Sequence, residues 1–232
     1  MSTIAQRLAH IRAQVAAACH QANRDPDSVT LIAVSKHQPI AAIAEAYAAG
    51  QRDFGENYVQ EWRDKMAALP EDIRWHFIGH LQSNKAPIIA ESALFALHTV
   101  DSASLANRIS RRRPLDAPPL PIFIEVNLGQ ESTKAGVAID HCRDLVAKVD
   151  KTQRLRVLGL MAIPPYDPTP EHSRHHFRQL AALQAEINLA RPPERRLHHL
   201  SMGMSDDFPI AIAEGATMIR VGTAIFGPRQ AP

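Results

Sequence analysis

The chain has 232 residues, of which 45% are hydrophobic and 22% charged, and its formal net charge is +2. A chain of this length can bury a full core without disulfides or metals, and the near-neutral balance gives no support to nucleic-acid binding. Its two cysteines, Cys19 and Cys142, are too far apart in sequence to read as a disulfide framework or a zinc site, so reduced thiols are expected.

In chain order, residues 3–22 read as an opening helix, because Ile4, Leu8, Ile11, Val15 and Ala18 recur at three and four residues. Residues 29–35 form an apolar, β-branched run without polar alternation, the pattern of a strand covered on both faces. Pro39 then opens a helix that Gly50 closes. A strand is predicted at 52–55 and a helix at 58–69, stopped by Pro70. Further strands are predicted at 73–78, 97–100, 121–126, 155–161, 197–200 and 217–221, with helices clearest at 136–150, 171–190 and 206–214. Arg111, Arg112 and Arg113 read as a solvated helix end. The Pro-rich stretch 164–170 reads as one stiff loop.

Strand–helix alternation implies a parallel sheet, and eight such units are the number that closes a (β/α)₈ barrel. We therefore predict an α/β fold, a single TIM-type barrel domain over residues 1–232 with an extra N-terminal helix. A doubly wound open sheet is the alternative, weakened because no glycine-rich fingerprint follows the first strand. Arg7, His10 and Arg12 interrupt the N-terminal apolar residues, which argues against a signal peptide. No window approaches the roughly 20 apolar residues of a membrane span. A cytoplasmic protein with no membrane partner is expected.

In such a barrel, functional groups gather where strands end. Lys36 follows the first apolar strand directly, where partial desolvation favours the neutral, nucleophilic amine. Ser201, Gly203 and Ser205 follow strand seven, and Gly222 and Thr223 follow strand eight, a usual place for a phosphate. Arg220, between Met218, Ile219 and Val221, is expected to be buried and to need a partner, either a ligand atom or a barrel carboxylate. An amine, a phosphate seat and an inward arginine suit a ligand with an aldehyde and a phosphate. Pyridoxal 5′-phosphate (PLP) has both, and so do some sugar-phosphate aldolase substrates.

Several blocks carry a resemblance. They are Val34-Ser-Lys36, Phe54-Gly-Glu-Asn-Tyr-Val-Gln-Glu61, Trp75-His-Phe-Ile-Gly-His-Leu-Gln-Ser-Asn-Lys85, His199-Leu-Ser-Met-Gly-Met-Ser-Asp-Asp207 and Ile219-Arg-Val-Gly-Thr-Ala-Ile-Phe-Gly227. From about residue 5 to residue 229 the chain resembles the pyridoxal phosphate homeostasis proteins, relatives of the barrel domain of alanine racemase. The resemblance implies that Lys36 holds PLP covalently as an internal aldimine. It implies that Ser201, Gly222 and Thr223 hold the phosphate and that Arg220 faces the pyridine nitrogen. Asn57, Ile78, Gly79 and His80 would line the pocket, with Met161 and Met202 as its wall.

A cationic donor at the ring nitrogen weakens the ring as an electron sink. Alanine racemase draws acid–base help from a second, β-rich domain that supplies a tyrosine. This chain ends at Pro232, about ten residues past the eighth strand, so that domain is expected to be absent. Tyr47 and Tyr58 fall in predicted helices, which leaves Tyr166 as the one tyrosine with a route to the mouth. The expected role is therefore a non-catalytic PLP-binding protein that buffers or delivers the cofactor in vitamin B6 homeostasis. A low-activity PLP-dependent amino-acid racemase is the alternative, and a PLP-free Schiff-base aldolase a more distant one. PLP-dependent apo-enzymes are the expected partners, and the expected state is a monomer or weak dimer. Lys134, with Glu131 and Ser132 in the loop after strand five, is a candidate second amine, although a solvated loop is the plainer reading. His172, His175 and His176 read as a solvated helix face without the partners of a metal site.

Overall fold

The structure is a computed structural model that describes residues 2–129, 135–165 and 167–228. The first helix, α1 (Ile4–Gln21), is started by a capping box. The Gln6 N–H donates to the Thr3 hydroxyl at 3.1 Å, and the Thr3 N–H donates to the Gln6 side chain at 2.9 Å. Its apolar stripe is buried as the periodicity requires. Then follow β1 (Thr30–Val34), α2 (Ile40–Ala48), β2 (Asp53–Glu56), α3 (Val59–Ala68), β3 (Arg74–Phe77) and α4 (Ala86–Ala90). The next elements are β4 (Ala96–Val100), α5 (Ala103–Arg112), β5 (Leu120–Asn127), a two-residue strand β6 (Val137–Ala138) and α6 (Ile139–Asp150). The chain continues through β7 (Leu155–Met161), α7 (Arg174–Leu189), β8 (His199–Ser201), α8 (Phe208–Ala213), β9 (Met218–Val221) and α9 (Thr223–Phe226).

The strands pair in parallel in the order β4-β3-β2-β1-β9-β8-β7-β5, and a β4–β5 pairing closes the ring. The fold is therefore the expected (β/α)₈ barrel with an N-terminal helix packed outside it, against α8, α9 and α2. The short β6 pairs with β5 outside the ring. Two apolar layers divide the core. A large one lies between strands and helices, and a small one inside the barrel holds Ile32, Ala96, Phe123, Met161 and Met218.

Three expectations need correction. Arg111 and Arg112 are exposed as predicted, but Arg113 is buried and donates to the carbonyls of Ala90, Ser92 and Pro118. A guanidinium fork can satisfy several carbonyls at once, which draws Arg113 inward. The seventh barrel strand begins at His199 rather than residue 197. The Asn188 side chain takes both main-chain groups of Leu197, at 2.8 and 2.9 Å, and pins that residue to α7. Tyr58 does not lie inside a helix. It is the N-cap of α3, half-exposed, with its ring 5.0 Å from that of His37. Tyr166, Lys134, Glu131 and Ser132 lie outside the described residues.

Candidate functional site

The C-terminal ends of the strands form one rim. Lys36 stands two residues past β1, half-buried, in a turn whose next residue, His37, has a φ of 61°. Inward parity on β1 passes from Ile32, inside the barrel, through Val34 to Lys36. The turn is fastened from α3. The buried Lys65 amine donates to the Ser35 carbonyl at 2.6 Å, to Glu56 at 2.7 Å and to Glu61 at 2.6 Å. Glu61 also accepts the His37 N–H at 2.6 Å, and the Ser35 hydroxyl donates to Glu56 at 2.6 Å. Burial pushes the Glu56 carboxyl up, against the pull of Lys65 and Ser35. Lys65 and Glu56 were not singled out by sequence, because nothing in a helical heptad marks one lysine as the buried one.

On the strand next to β1, β9 carries Arg220 in register with Ile32. Arg220 is 4% exposed and donates to the Ser201 hydroxyl at 2.7 Å and to the Ala162 carbonyl at 2.9 Å. Burial lowers its pKa to about 10, with Asp207 and Glu125 opposing that fall, so it remains charged at neutral pH. Its side-chain partners are thus a hydroxyl and a carbonyl rather than the barrel carboxylate expected as one alternative, with two carboxylates contributing charge at longer range. Glu125, on β5, was not anticipated. It is 7% exposed, and its pKa is raised to about 7 by burial first and by Asp101 second, with Arg220 opposing.

The other predicted residues separate into groups. Asn57, Ile78 and Gly79 come together where β2 and β3 end. A Cβ on Gly79 would lie 2.3 Å from the Asn57 carbonyl oxygen, so only glycine allows the two strand ends to approach this closely. His80 is the exposed neighbour of this contact. Gly222 precedes α9, and Thr223 opens it, exposed, on the same rim as Lys36. Met161 lies in the inner cluster, as a pocket wall should. Met202 is placed differently, with its side chain in the outer apolar layer. Ser201 is fully buried, and its hydroxyl is engaged with Arg220 and with His98 Nδ1, at 2.9 Å. Among the described residues there is no cluster of metal-ligand type, His172 is exposed beside Asp167, and no helix is long and apolar enough to cross a membrane.

Three buried polar atoms at this end, Glu56 Oε2, Asn57 Oδ1 and Glu125 Oε2, have no hydrogen-bond partner among the described residues. A buried, unpaired polar atom is costly, so their presence at one rim suits a site that receives a polar ligand. An amine, a fixed guanidinium and a glycine-lined approach thus stand at one end of the barrel.

Known proteins are similar to this chain over nearly its whole length. The family model described as "Alanine racemase, N-terminal domain" matches residues 6–230. The pyridoxal phosphate homeostasis protein of Pseudomonas aeruginosa is 47% identical over 233 residues, covering 99% of this chain and 97% of that one. The protein of the same name from Escherichia coli K12 is 45% identical over 236 residues, covering 99% and 98%. PipY of Synechococcus elongatus, solved with PLP bound, superposes with a TM-score of 0.84 at 42% identity, over 97% of this chain and all of that one. The alanine racemase of Corynebacterium glutamicum has a TM-score of 0.68 at 17% identity, over 95% of this chain and 61% of that one, a likeness of fold alone. With barrel, rim and relatives in agreement, the chain belongs to the pyridoxal phosphate homeostasis proteins, a family built on the alanine racemase N-terminal domain.

Proposed function

We propose that this protein binds PLP at the C-terminal rim, holds it as a Schiff base with the Lys36 amine, and buffers or delivers it inside the cell without substantial catalysis. The observation that carries the reading is the meeting, at one rim, of Lys36 in a braced turn after β1 and Arg220 buried on the adjacent β9. The relatives' names and the PLP-bound PipY structure support it. When bound, PLP supplies an aldehyde that an amine can hold reversibly.

Each residue then has a task. Lys36 is the attachment point. Arg220, a donor that cannot accept, points at the ring nitrogen and disfavours its protonation. Gly222 and Thr223 hold the phosphate through main-chain N–H groups and the Thr223 hydroxyl. Ser201, expected to hold the phosphate, has its hydroxyl engaged with Arg220 and His98 and instead fixes Arg220. Asn57, Ile78, Gly79 and His80 form one wall and Met161 the floor, while Met202 supports the rim from behind. PLP-dependent apo-enzymes are the receiving partners.

Borohydride reduction of the purified protein and peptide mass mapping test the attachment. A pyridoxyl group on Lys36 is expected, and one on another lysine instead would overturn it. The carrier role is tested by α-proton exchange on a panel of amino acids. Turnover near 1 per second or faster, as ordinary enzymes show, would replace it with the racemase reading.

A further inference from the structure

Barrel interiors are normally filled by layers of apolar side chains. Here a polar line crosses that interior from one end to the other. Arg74 holds Asp53 with two bonds, one of them 2.8 Å from Nε to Oδ1. Asp53 Oδ1 is 3.1 Å from His76 Nε2, His76 Nδ1 is 2.9 Å from His98 Nε2, and His98 Nδ1 is 2.9 Å from the Ser201 hydroxyl. Arg220 then donates to Ser201. His76, His98 and Ser201 are all 0% exposed.

An ionised Asp53 at one end and two neutral rings fix the direction of every bond between them. A guanidinium only donates, so the Ser201 oxygen accepts from Arg220 and keeps its own proton to donate to His98 Nδ1. With Nδ1 accepting, a neutral His98 carries its proton on Nε2 and donates to His76 Nδ1. His76 then carries its proton on Nε2 and donates to Asp53, which is an ionised acceptor. Burial above all, with the Arg220 charge adding to it, pushes His98 far down, and burial lowers His76 despite Asp53. Burial acts to raise Asp53, but the bonds from Arg74 and His76 outweigh it and hold the carboxyl below its usual range. Four hydrogen bonds therefore run one way, from a buried cation to a buried anion, and reversing any one leaves two donors or two acceptors facing each other.

We propose that Asp53, His76, His98 and Ser201 are positioning residues, a one-directional relay that fixes Arg220 as a charged donor toward the cofactor, so that charge at the far end of the barrel tunes the site. The inference rests on the reading that Arg220 faces the bound PLP. It also explains why the Ser201 hydroxyl faces inward: its proton is committed to His98.

The first arm of the test uses the ligand-free full chain and no variant. Long-range ¹H–¹⁵N spectra are expected to show His76 and His98 both neutral at pH 7 with the proton on Nε2. A proton on Nδ1 of either ring, or a charged ring, overturns the relay. The second arm compares the PLP-loaded wild type with Asp53→Asn, which keeps shape and removes the negative terminus. The pH midpoint of the visible band is expected to fall by about 0.5–1 unit, because a cationic chromophore loses a distant anion. Glu125, Asp207 and Asp101 on the Arg220 side, and Glu56, Glu61, Lys65, His37 and Tyr58 around the Lys36 turn, are unchanged in this variant, so the difference reads the relay. A folded variant with an unmoved midpoint means that the line is merely structural and overturns the proposal. Borohydride mapping of the same samples separates the two readings. Absence of label on Lys36 removes the attachment, while the tautomers still decide the relay.

Discussion

Two neighbouring strands of the rim, β1 and β9, hold their functional residues by different means. On the Lys36 side the functional residue is half-buried in a turn, and what is fixed is its main chain, through Ser35 and His37. On the Arg220 side the functional residue is buried and its side chain is fixed, through Ser201 and Ala162. An amine that must meet and release an aldehyde needs reach, whereas a donor to a ring nitrogen needs a set position. The difference suits a protein that takes its ligand up and gives it away.

Lys36→Ala should break the comparison most completely. Borohydride labelling of the barrel is expected to fall to background and PLP to be lost on gel filtration, because no amine remains at that end of β1. Undiminished labelling would place the attachment on another lysine. Lys65→Met comes next. Glu56 is 0% exposed at its side chain and pairs with Lys65 at 2.7 Å, so removing the amine strands a buried carboxylate. Urea unfolding should show a loss of about 3–5 kcal/mol, mostly recovered when Glu56→Gln is added. A neutral single variant would mean that α3 does not brace the Lys36 turn. Gly79→Ala should cost about 1–3 kcal/mol by overpacking, since its Cβ would lie 2.3 Å from main-chain oxygen of Asn57. PLP affinity is expected to fall in parallel.

The fold was legible because its signals are local. Apolar runs marked most of the barrel strands, although β2 (Asp53–Glu56) carries a single apolar side chain, and only the strand at His199 began two residues later than predicted, because Asn188 captures Leu197. The five-residue α4, with Pro87 in its first turn, and the two-residue β6 are too short to show a period. Lys36 and Arg220 were legible because each stands at the end of, or inside, an apolar strand. The residues behind them were not. Asp53, His76 and His98 lie on three successive strands, joined only by register: Gly55 pairs with His76, and His76 with Ala96. Register is a property of the closed sheet and leaves no local trace in the chain. Resemblance supplied the identity of the ligand, which position alone had left open between PLP and a sugar phosphate.

Glu125→Gln sharpens the comparison by pH. The Glu125 carboxyl titrates at about 7 in the folded protein, raised from 4.5 by burial and then by Asp101. The stability this group contributes is fully present below its unfolded pKa and is lost as pH rises toward 7, because the unfolded chain gives up the proton earlier. The shift corresponds to at most about 3 kcal/mol. Glutamine does not titrate, so in the ligand-free protein Glu125→Gln should be more stable than wild type at pH 8, by about 1–3 kcal/mol, with the difference shrinking toward pH 4.5. Lys36→Ala should leave this slope unchanged, since the residue stands on the other side of the rim. Denaturant midpoints measured at pH 4.5, 6 and 8 decide it: parallel profiles for wild type and Glu125→Gln would show that the carboxylate beside Arg220 is already well compensated, and that the buried side of the rim is no more sensitive to pH than the open one.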